Sequence, residues 1–208
     1  MNRSLWQYSS TFKKNNKTYV LSLCISLFLC GGAFAEVHLP RFFSDSLILQ
    51  QNQTNAIWGW AEPGEEVVVD SSWEASASTV TDSEGRWKVF LETPSHGTGH
   101  SLRVVGTNTI VIKNVAIGEV WLCLGQSNMG WSVQNSFEAD DELAVDLPDL
   151  RIFRSSREHW HTPLEENRDR LCVWKPCTAE SAMETSAVAY FFAKKLQQEL
   201  CIPVGIIQ

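Results

Sequence analysis

Short runs of alternating apolar and polar residues fill the chain from residue 36 to residue 115. Such alternation, rich in β-branched and aromatic residues, is typical of half-buried strands. Clusters of Gly, Pro, Asp and Asn separate the runs, and Gly85 falls where a hairpin turn needs a positive φ. This spacing predicts an all-β, sandwich-like domain over residues 36–115. The predicted strands are 47–49, 56–60, 66–70, 77–81, 87–91, 101–105 and 109–113.

A different pattern begins near residue 116. Apolar runs at 119–124, 150–154 and 204–207 predict buried strands. The acidic stretch 136–149 predicts a solvated loop or a short helix. Irregular structure is expected over 155–176, where no periodicity is visible.

Residues 186–200 predict an amphipathic helix that ends before Pro203. Four apolar residues recur at every fourth position and share one face: Val188, Phe192, Leu196 and Leu200. Strand, helix and strand in this order predict an α/β domain with a parallel sheet. A parallel sheet is covered on both faces. We therefore expect residues 116–208 to be the front part of a larger domain, with a compact minimal domain as the alternative.

The first 35 residues follow the order of segments in a secretory signal peptide. Basic residues without any acid precede an apolar run at 19–29, and small residues lead to Ala33-Phe34-Ala35. We expect cleavage after Ala35, a secreted or periplasmic location, and no membrane attachment afterwards. The run is short for a membrane span, and an uncleaved N-terminal anchor is the alternative.

The net charge of the chain limits the classes of binding partner that the sequence predicts. The 208-residue chain has a formal net charge of −7, with 24 acidic and 17 basic residues. Loss of the basic first 35 residues makes the remainder more acidic still. An acidic surface argues against a nucleic-acid partner and against anionic membranes.

The cysteines do not have the spacing of a zinc site. Beyond the predicted signal the chain holds Cys123, Cys172, Cys177 and Cys201. Cys123 belongs to an apolar run and is predicted to be a buried thiol. Export would permit a disulfide across the short loop between Cys172 and Cys177.

The segment GEVWLCLGQSNMGW, residues 118–131, carries the candidate chemistry. An apolar strand stops at Gly125, and Ser127 follows in a turn, at the sheet edge where open α/β sheets bind ligands. Ser127 is a candidate nucleophile, with Gly125, Gln126 and Asn128 as candidates to support the oxyanion or the substrate. The spacing Gly-x-Ser-x-x-Gly differs from the α/β-hydrolase elbow. The alternative is a turn serine that caps a following helix.

The same segment resembles the nucleophile block of the sialate O-acetylesterase family, a group of SGNH-type carbohydrate esterases. Other segments match the family in the same order, and together they cover the chain after the predicted signal: 37–51, 57–64, 81–89, 114–119 and 186–207. Two departures are visible, because Gly130 stands where an acid is common and Leu124 where a small residue is usual.

The resemblance implies that Ser127 attacks the acetyl ester of a sialic acid or another glycan, without a metal or cofactor. It also implies a second oxyanion glycine and an Asp-x-x-His pair, which we expect beyond Gln208. On this reading the 208-residue chain is a front fragment with little activity of its own. The oligomeric state and the acetylated position are left open.

Two alternatives compete with this reading. In the first, the chain is a non-catalytic glycan-binding module or an inactive remnant. In the second, it is a serine hydrolase of other esters. Trp58 and Trp60 share one face of a predicted strand, where a core or interdomain role is favoured over a sugar platform. His159 and His161 are weak candidates for a metal pair or for the base of Ser127.

Overall fold

The computed structural model describes residues 36–155, 161, 162, 166 and 171–208. The predicted signal segment and His159 lie outside these residues. Ten strands are present in the described part: β1 (Ile48–Gln50), β2 (Thr54–Trp60), β3 (Glu66–Ser71), β4 (Ser76–Val80), β5 (Arg86–Glu92), β6 (Gly97–Val105), β7 (Thr109–Leu122), β8 (Leu147–Phe153), β9 (Trp174–Cys177) and β10 (Val204–Ile207). The α-helices of the same part are α1 (Ala139–Leu143), α2 (Ala179–Met183) and α3 (Ala187–Leu200).

The first half is built from antiparallel pairs. Strand β3 pairs with β4 and β6, β6 pairs with β7, and β2 pairs with β5 as a separate ribbon. Strand β5 shows the alternation that the sequence predicted, because Trp87, Val89 and Leu91 are buried while the residues between them are exposed. The predicted short strands are confirmed to within a few residues. Their classification as a sandwich stays a prediction.

Strand β7 joins the two halves of the fold. Its first part lies antiparallel to β6, and its last residues, Glu119–Leu122, lie parallel to β10. The prediction of two separate strands, 109–113 and 119–124, is therefore wrong. Asn114 adopts a left-handed conformation (φ 55°) where the pairing of β6 with β7 shifts its register. Such an irregularity lets the strand continue past this polar residue. The predicted domain boundary at residues 115 and 116 lies within this strand and stays a prediction.

A parallel sheet forms the second half. Strand β10 lies between β7 and β8 and is parallel to both, while β9 adds an antiparallel edge. Since β10 follows α3, the predicted strand–helix–strand order and its parallel pairing are confirmed. The fold is thus a mixed α/β structure with one large sheet that is partly antiparallel and partly parallel.

Helix α3 begins where the sequence predicted but buries a different face. The Ser186 side chain accepts the Ala189 N–H as the N-cap. Most of the predicted apolar stripe faces outward, since Val188 is 53% and Phe192 42% exposed, while Leu196 is half-buried. The buried residues are Ala187, Ala189, Tyr190 and Ala193. Small alanines let the helix approach the sheet closely, and this outweighs the larger apolar side chains of the stripe.

Two hydrophobic clusters cover opposite faces of the parallel sheet. One contains Leu150, Ile152, Val204 and Ile206 and packs against α3. The other contains Phe153 and joins the antiparallel half through a run of aromatic rings: Phe42, Phe43, Trp58 and Trp174. Every helix in the described ranges is too short or too polar to cross a membrane.

The cysteines of the described chain are all thiols, with no disulfide among them. Cys172 and Cys177 are both buried, and the disulfide that the sequence permitted does not join them. Cys123 lies just beyond the end of β7 and is only half-buried, in contrast to the predicted buried position.

Candidate active site

Ser127 lies just beyond the carboxyl end of a parallel strand pair. The Cys123 N–H still donates to the Ile207 carbonyl of β10, at 2.7 Å, and the chain then leaves the sheet. A single 3-10 turn, Ser127–Gly130, follows, and all of its residues except the half-buried Met129 are exposed. The structure therefore places the Ser127 hydroxyl at the sheet edge where the sequence predicted it, open to solvent. Its role as nucleophile stays a prediction.

The turn is closed by its own backbone. The Gly130 N–H donates to the Gln126 carbonyl at 3.1 Å, and the Trp131 N–H donates to the Asn128 carbonyl at 3.3 Å. The side chains of Gln126, Ser127 and Asn128 make no hydrogen bond to any described residue. These polar groups are exposed and remain available to a ligand.

Gly125 lets Met129 fold back beneath the turn. A Cβ atom at Gly125 would lie 2.4 Å from Met129 Cγ, which no real side chain permits. Met129 packs against the cluster under α3 and lies 3.8 Å from the Ser186 hydroxyl. Gly125 thus has a packing reason here, and this contact fixes where the Ser127 turn sits over the sheet.

The segment after Ser127 is tied to the start of α3. The Ala187 N–H donates to the Trp131 carbonyl at 2.8 Å, and the Val133 N–H donates to the Thr185 carbonyl at 3.0 Å. Both ends of the turn are therefore anchored, one through β7 and the other through the helix N-terminus. Nearby, burial raises the pKa of the Cys123 thiol, which keeps that group neutral.

No described histidine contacts Ser127. His38 lies beside Trp60 and is 3.3 Å from the Glu166 carboxylate, and His100 is 3.3 Å from the Ser72 hydroxyl. His96 and His161, the other two described histidines, make no hydrogen bond to the Ser127 side chain either. In the described ranges, no group of three or more His, Cys, Asp or Glu side chains is arranged to hold a metal.

Sequence reasoning missed a cavity on the β2–β5 ribbon, away from the Ser127 turn in sequence. It has a volume of about 440 Å³, and its lining includes Trp58, Trp60, Arg86 and Lys88. The signal was present in the sequence, since Trp-Gly-Trp and Arg-Trp-Lys are alternating patterns on two strands. Only the pairing register shows that the large side chains of both strands share one face.

Three known proteins that are similar to this chain are all named as acetylesterases. The human sialate O-acetylesterase is 28% identical over 208 residues, which cover 90% of this chain and 40% of that protein. The mouse enzyme of the same name is 27% identical over 184 residues, covering 80% of this chain and 34% of that protein. The crystal structure of a carbohydrate acetylesterase from Xanthomonas citri matches with a TM-score of 0.78 and 31% identity, over 83% of this chain and 40% of that one.

These matches support the resemblance of the chain to the sialate O-acetylesterase family. The chain spans between about one third and two fifths of the length of these relatives. No family model matches it. The resemblance drawn from the Ser127 segment is thereby confirmed at the level of the family.

Proposed function

We propose that this chain carries the nucleophile of a carbohydrate O-acetylesterase, and that the nucleophile is the Ser127 hydroxyl. One observation carries the proposal: an exposed serine follows the carboxyl end of a parallel strand, on a turn anchored at both ends. The names of the relatives supply the substrate class, an acetyl ester on sialic acid or on another sugar. Their agreement supports acetyl transfer to water rather than chemistry on another acyl group.

In the proposed reaction the Ser127 oxygen attacks the acetyl carbonyl carbon. The serine proton passes to a base, the bond between the acyl carbon and the sugar oxygen breaks, the sugar oxygen takes the proton from that base, and an acetyl-serine remains. Water then attacks the acetyl carbon and releases acetate, which restores the hydroxyl. The Ser127 N–H and the Asn128 carboxamide donate to the oxyanion, Gln126 orients the sugar, and Gly125 holds the turn in place.

Ser127 needs a base, because a serine hydroxyl is a weak nucleophile at neutral pH. No described histidine is within hydrogen-bond distance of it. We therefore propose that the 208-residue chain alone turns over slowly. The base is expected in the portion of the relatives' length that the match leaves out.

Acetate release by the natural gene product tests the proposal. With 9-O-acetyl-N-acetylneuraminic acid or an acetylated xylo-oligosaccharide as substrate, Ser127→Ala should lower kcat by about a thousandfold or more. The matched control is Ser95→Ala, an exposed loop serine, which should be unaffected. Activity retained in Ser127→Ala would remove Ser127 from the role. Absence of acetate release from every acetylated sugar would refute the esterase itself.

We also propose that the protein is exported. The support is the order of segments in residues 1–35, which lie outside the described residues. Sequencing of the protein secreted by its host should give Glu36 as the first residue. A mature protein that keeps residues 19–29 would favour the uncleaved anchor.

A further inference from the structure

The cavity on the β2–β5 ribbon is separate in sequence from the Ser127 turn. Its volume, about 440 Å³, suits a ligand of the size of a sugar unit, since small-molecule pockets measure about 300–1,000 Å³. Strands β2 and β5 pair in an antiparallel register that sets Trp58 opposite Lys88 and Trp60 opposite Arg86. Directly opposed residues lie on the same face of a sheet. An indole row and a cationic row therefore stand side by side.

This face of the ribbon looks outward. The residues that alternate with it on β5, Trp87 and Val89, are buried in the core, whereas Arg86 and Lys88 are exposed. Trp58 is held by two rings, Phe43 edge-to-face with centroids 4.6 Å apart and Phe42 stacked at 6.2 Å, and so forms a wall of the cavity. Trp60 is half-buried, with the His38 ring beside it at a centroid distance of 5.6 Å, and its indole also lines the cavity.

The two cations of the face are not equivalent. Arg86 is paired with Asp82 at 3.3 Å and with Glu84 at 2.7 Å, so acidic neighbours largely compensate its charge. Lys88 makes no ion pair or hydrogen bond with any residue that the structure describes. Asp82 also lines the cavity, so the Lys88 ammonium is the cation there that no described carboxylate contacts, beside two indoles.

We propose that this cavity binds a carboxylated sugar unit, with the Lys88 ammonium on its carboxylate and the Trp60 indole against the apolar face of its ring. An ammonium prefers an anionic oxygen ligand, and an indole offers a flat apolar surface with a polar edge. A small inorganic anion would use the lysine but not the indole. The proposal rests on the proposed function only for the choice of sugar, and it gives the chain a second place to hold the acidic glycan.

The test is binding of N-acetylneuraminic acid, which carries no acetyl ester and so reports on binding regardless of the chemistry at Ser127. Titration of the isotope-labelled 208-residue chain by NMR should shift the amide signals of β2 and β5. Lys88→Met should weaken this binding about tenfold. The methyl ester of the same sugar, which lacks the carboxylate charge, should bind wild-type protein about tenfold more weakly as well. Lys113→Met, an exposed lysine on β7, is the matched control and should not change the affinity.

Three results would overturn the proposal: no shift of the β2 and β5 signals, equal binding of acid and methyl ester, or equal binding by Lys88→Met. Signals that move only around Ser127 count as the first of these. Lys88-dependent binding together with no acetate release from any acetylated sugar by the natural gene product would refute the esterase proposal alone. Acetate release without Lys88-dependent binding would refute this inference alone.

Discussion

The guanidinium of Arg151, on β8, donates hydrogen bonds to both oxygens of Asn114, on β7. One goes to the Asn114 carbonyl, and the other, of 3.1 Å, goes to its side-chain oxygen. Arg151 is 2% exposed, so these bonds form out of water. They connect the parallel sheet to the residue at which β7 passes through a left-handed conformation.

Loss of this contact should destabilise the fold. Arg151→Ala is expected to lower the free energy of unfolding by about 3 kcal/mol, because it opens a cavity and leaves both Asn114 oxygens without their donor. Arg151→Met keeps most of the volume and should cost about 1–2 kcal/mol. Urea unfolding measures both. The control is Arg103→Met, whose ion pair with Asp70 is exposed and which should change stability by less than about 1 kcal/mol. Equal effects at Arg103 and Arg151 would contradict the role of the buried pair.

The packing of Gly125 on Met129 predicts a specific double-mutant result. Gly125→Ala should displace Met129 and the Ser127 turn, which lowers acetate release by the natural gene product. Met129→Ala removes the atom that a Cβ at residue 125 would meet. Adding Gly125→Ala to the Met129→Ala variant should therefore lower the activity less than adding Gly125→Ala to the wild-type protein does. Strictly additive effects would show that the clash is not the cause.

Alkaline pH should destabilise the region under α3. Burial, together with the negative charge of Asp146, raises the pKa of Cys177 from 9.0 to about 12. Burial and the hydrogen bond to Glu142 raise the pKa of Tyr190 in the same direction. Both groups hold their protons more tightly when folded, so the unfolded chain binds fewer protons in this window and stability falls as pH rises from 9 to 12.

Unfolding in urea at several pH values between 8 and 12 measures this loss. Cys177→Ala should flatten the dependence above pH 9, although the variant itself is less stable at every pH. The exposed Cys201 offers the control, because Cys201→Ala should leave the slope unchanged. A slope that is the same with and without the Cys177 thiol would contradict the assignment.

The buried face of α3 can be tested by matched substitutions. Ala193→Leu should destabilise the protein by about 1–3 kcal/mol, because Ala193 is fully buried within the cluster and a larger side chain overpacks it. Val188→Lys lies on the exposed stripe and should change stability by no more than about 0.5 kcal/mol. Thermal unfolding of the two variants decides the matter. A larger loss of stability for Val188→Lys than for Ala193→Leu would show that the face predicted from the apolar spacing is the buried one.

Local patterns were enough to predict most elements. The strand alternation of β5, the start of α3 near Ser186 and its end before Pro203 depend on neighbouring residues, and each was found within a residue or two of its predicted place. The place of Ser127 was also predictable, because a strand followed by a glycine and polar residues predicts a turn at the sheet edge.

Features set by distant packing were not predictable from the sequence. Most of the apolar stripe of α3 faces outward because Ala189, Tyr190 and Ala193 form the buried face of the helix. The continuity of β7 depends on β6 shifting its register opposite Asn114. The cavity on the ribbon depends on which residues of β2 and β5 stand opposite each other. Each of these is decided by a partner far away along the chain.

The unbroken course of β7 makes the Ser127 turn sensitive to events far upstream. Adding one residue to a strand turns every later side chain to the opposite face of the sheet and moves it by about 3.3 Å along the strand. A one-residue insertion anywhere between Thr109 and Leu122 would therefore either be absorbed as a bulge or carry the serine out of alignment with the helix that anchors its turn. Length changes in natural variants should accordingly accumulate in the surface turns and spare this strand.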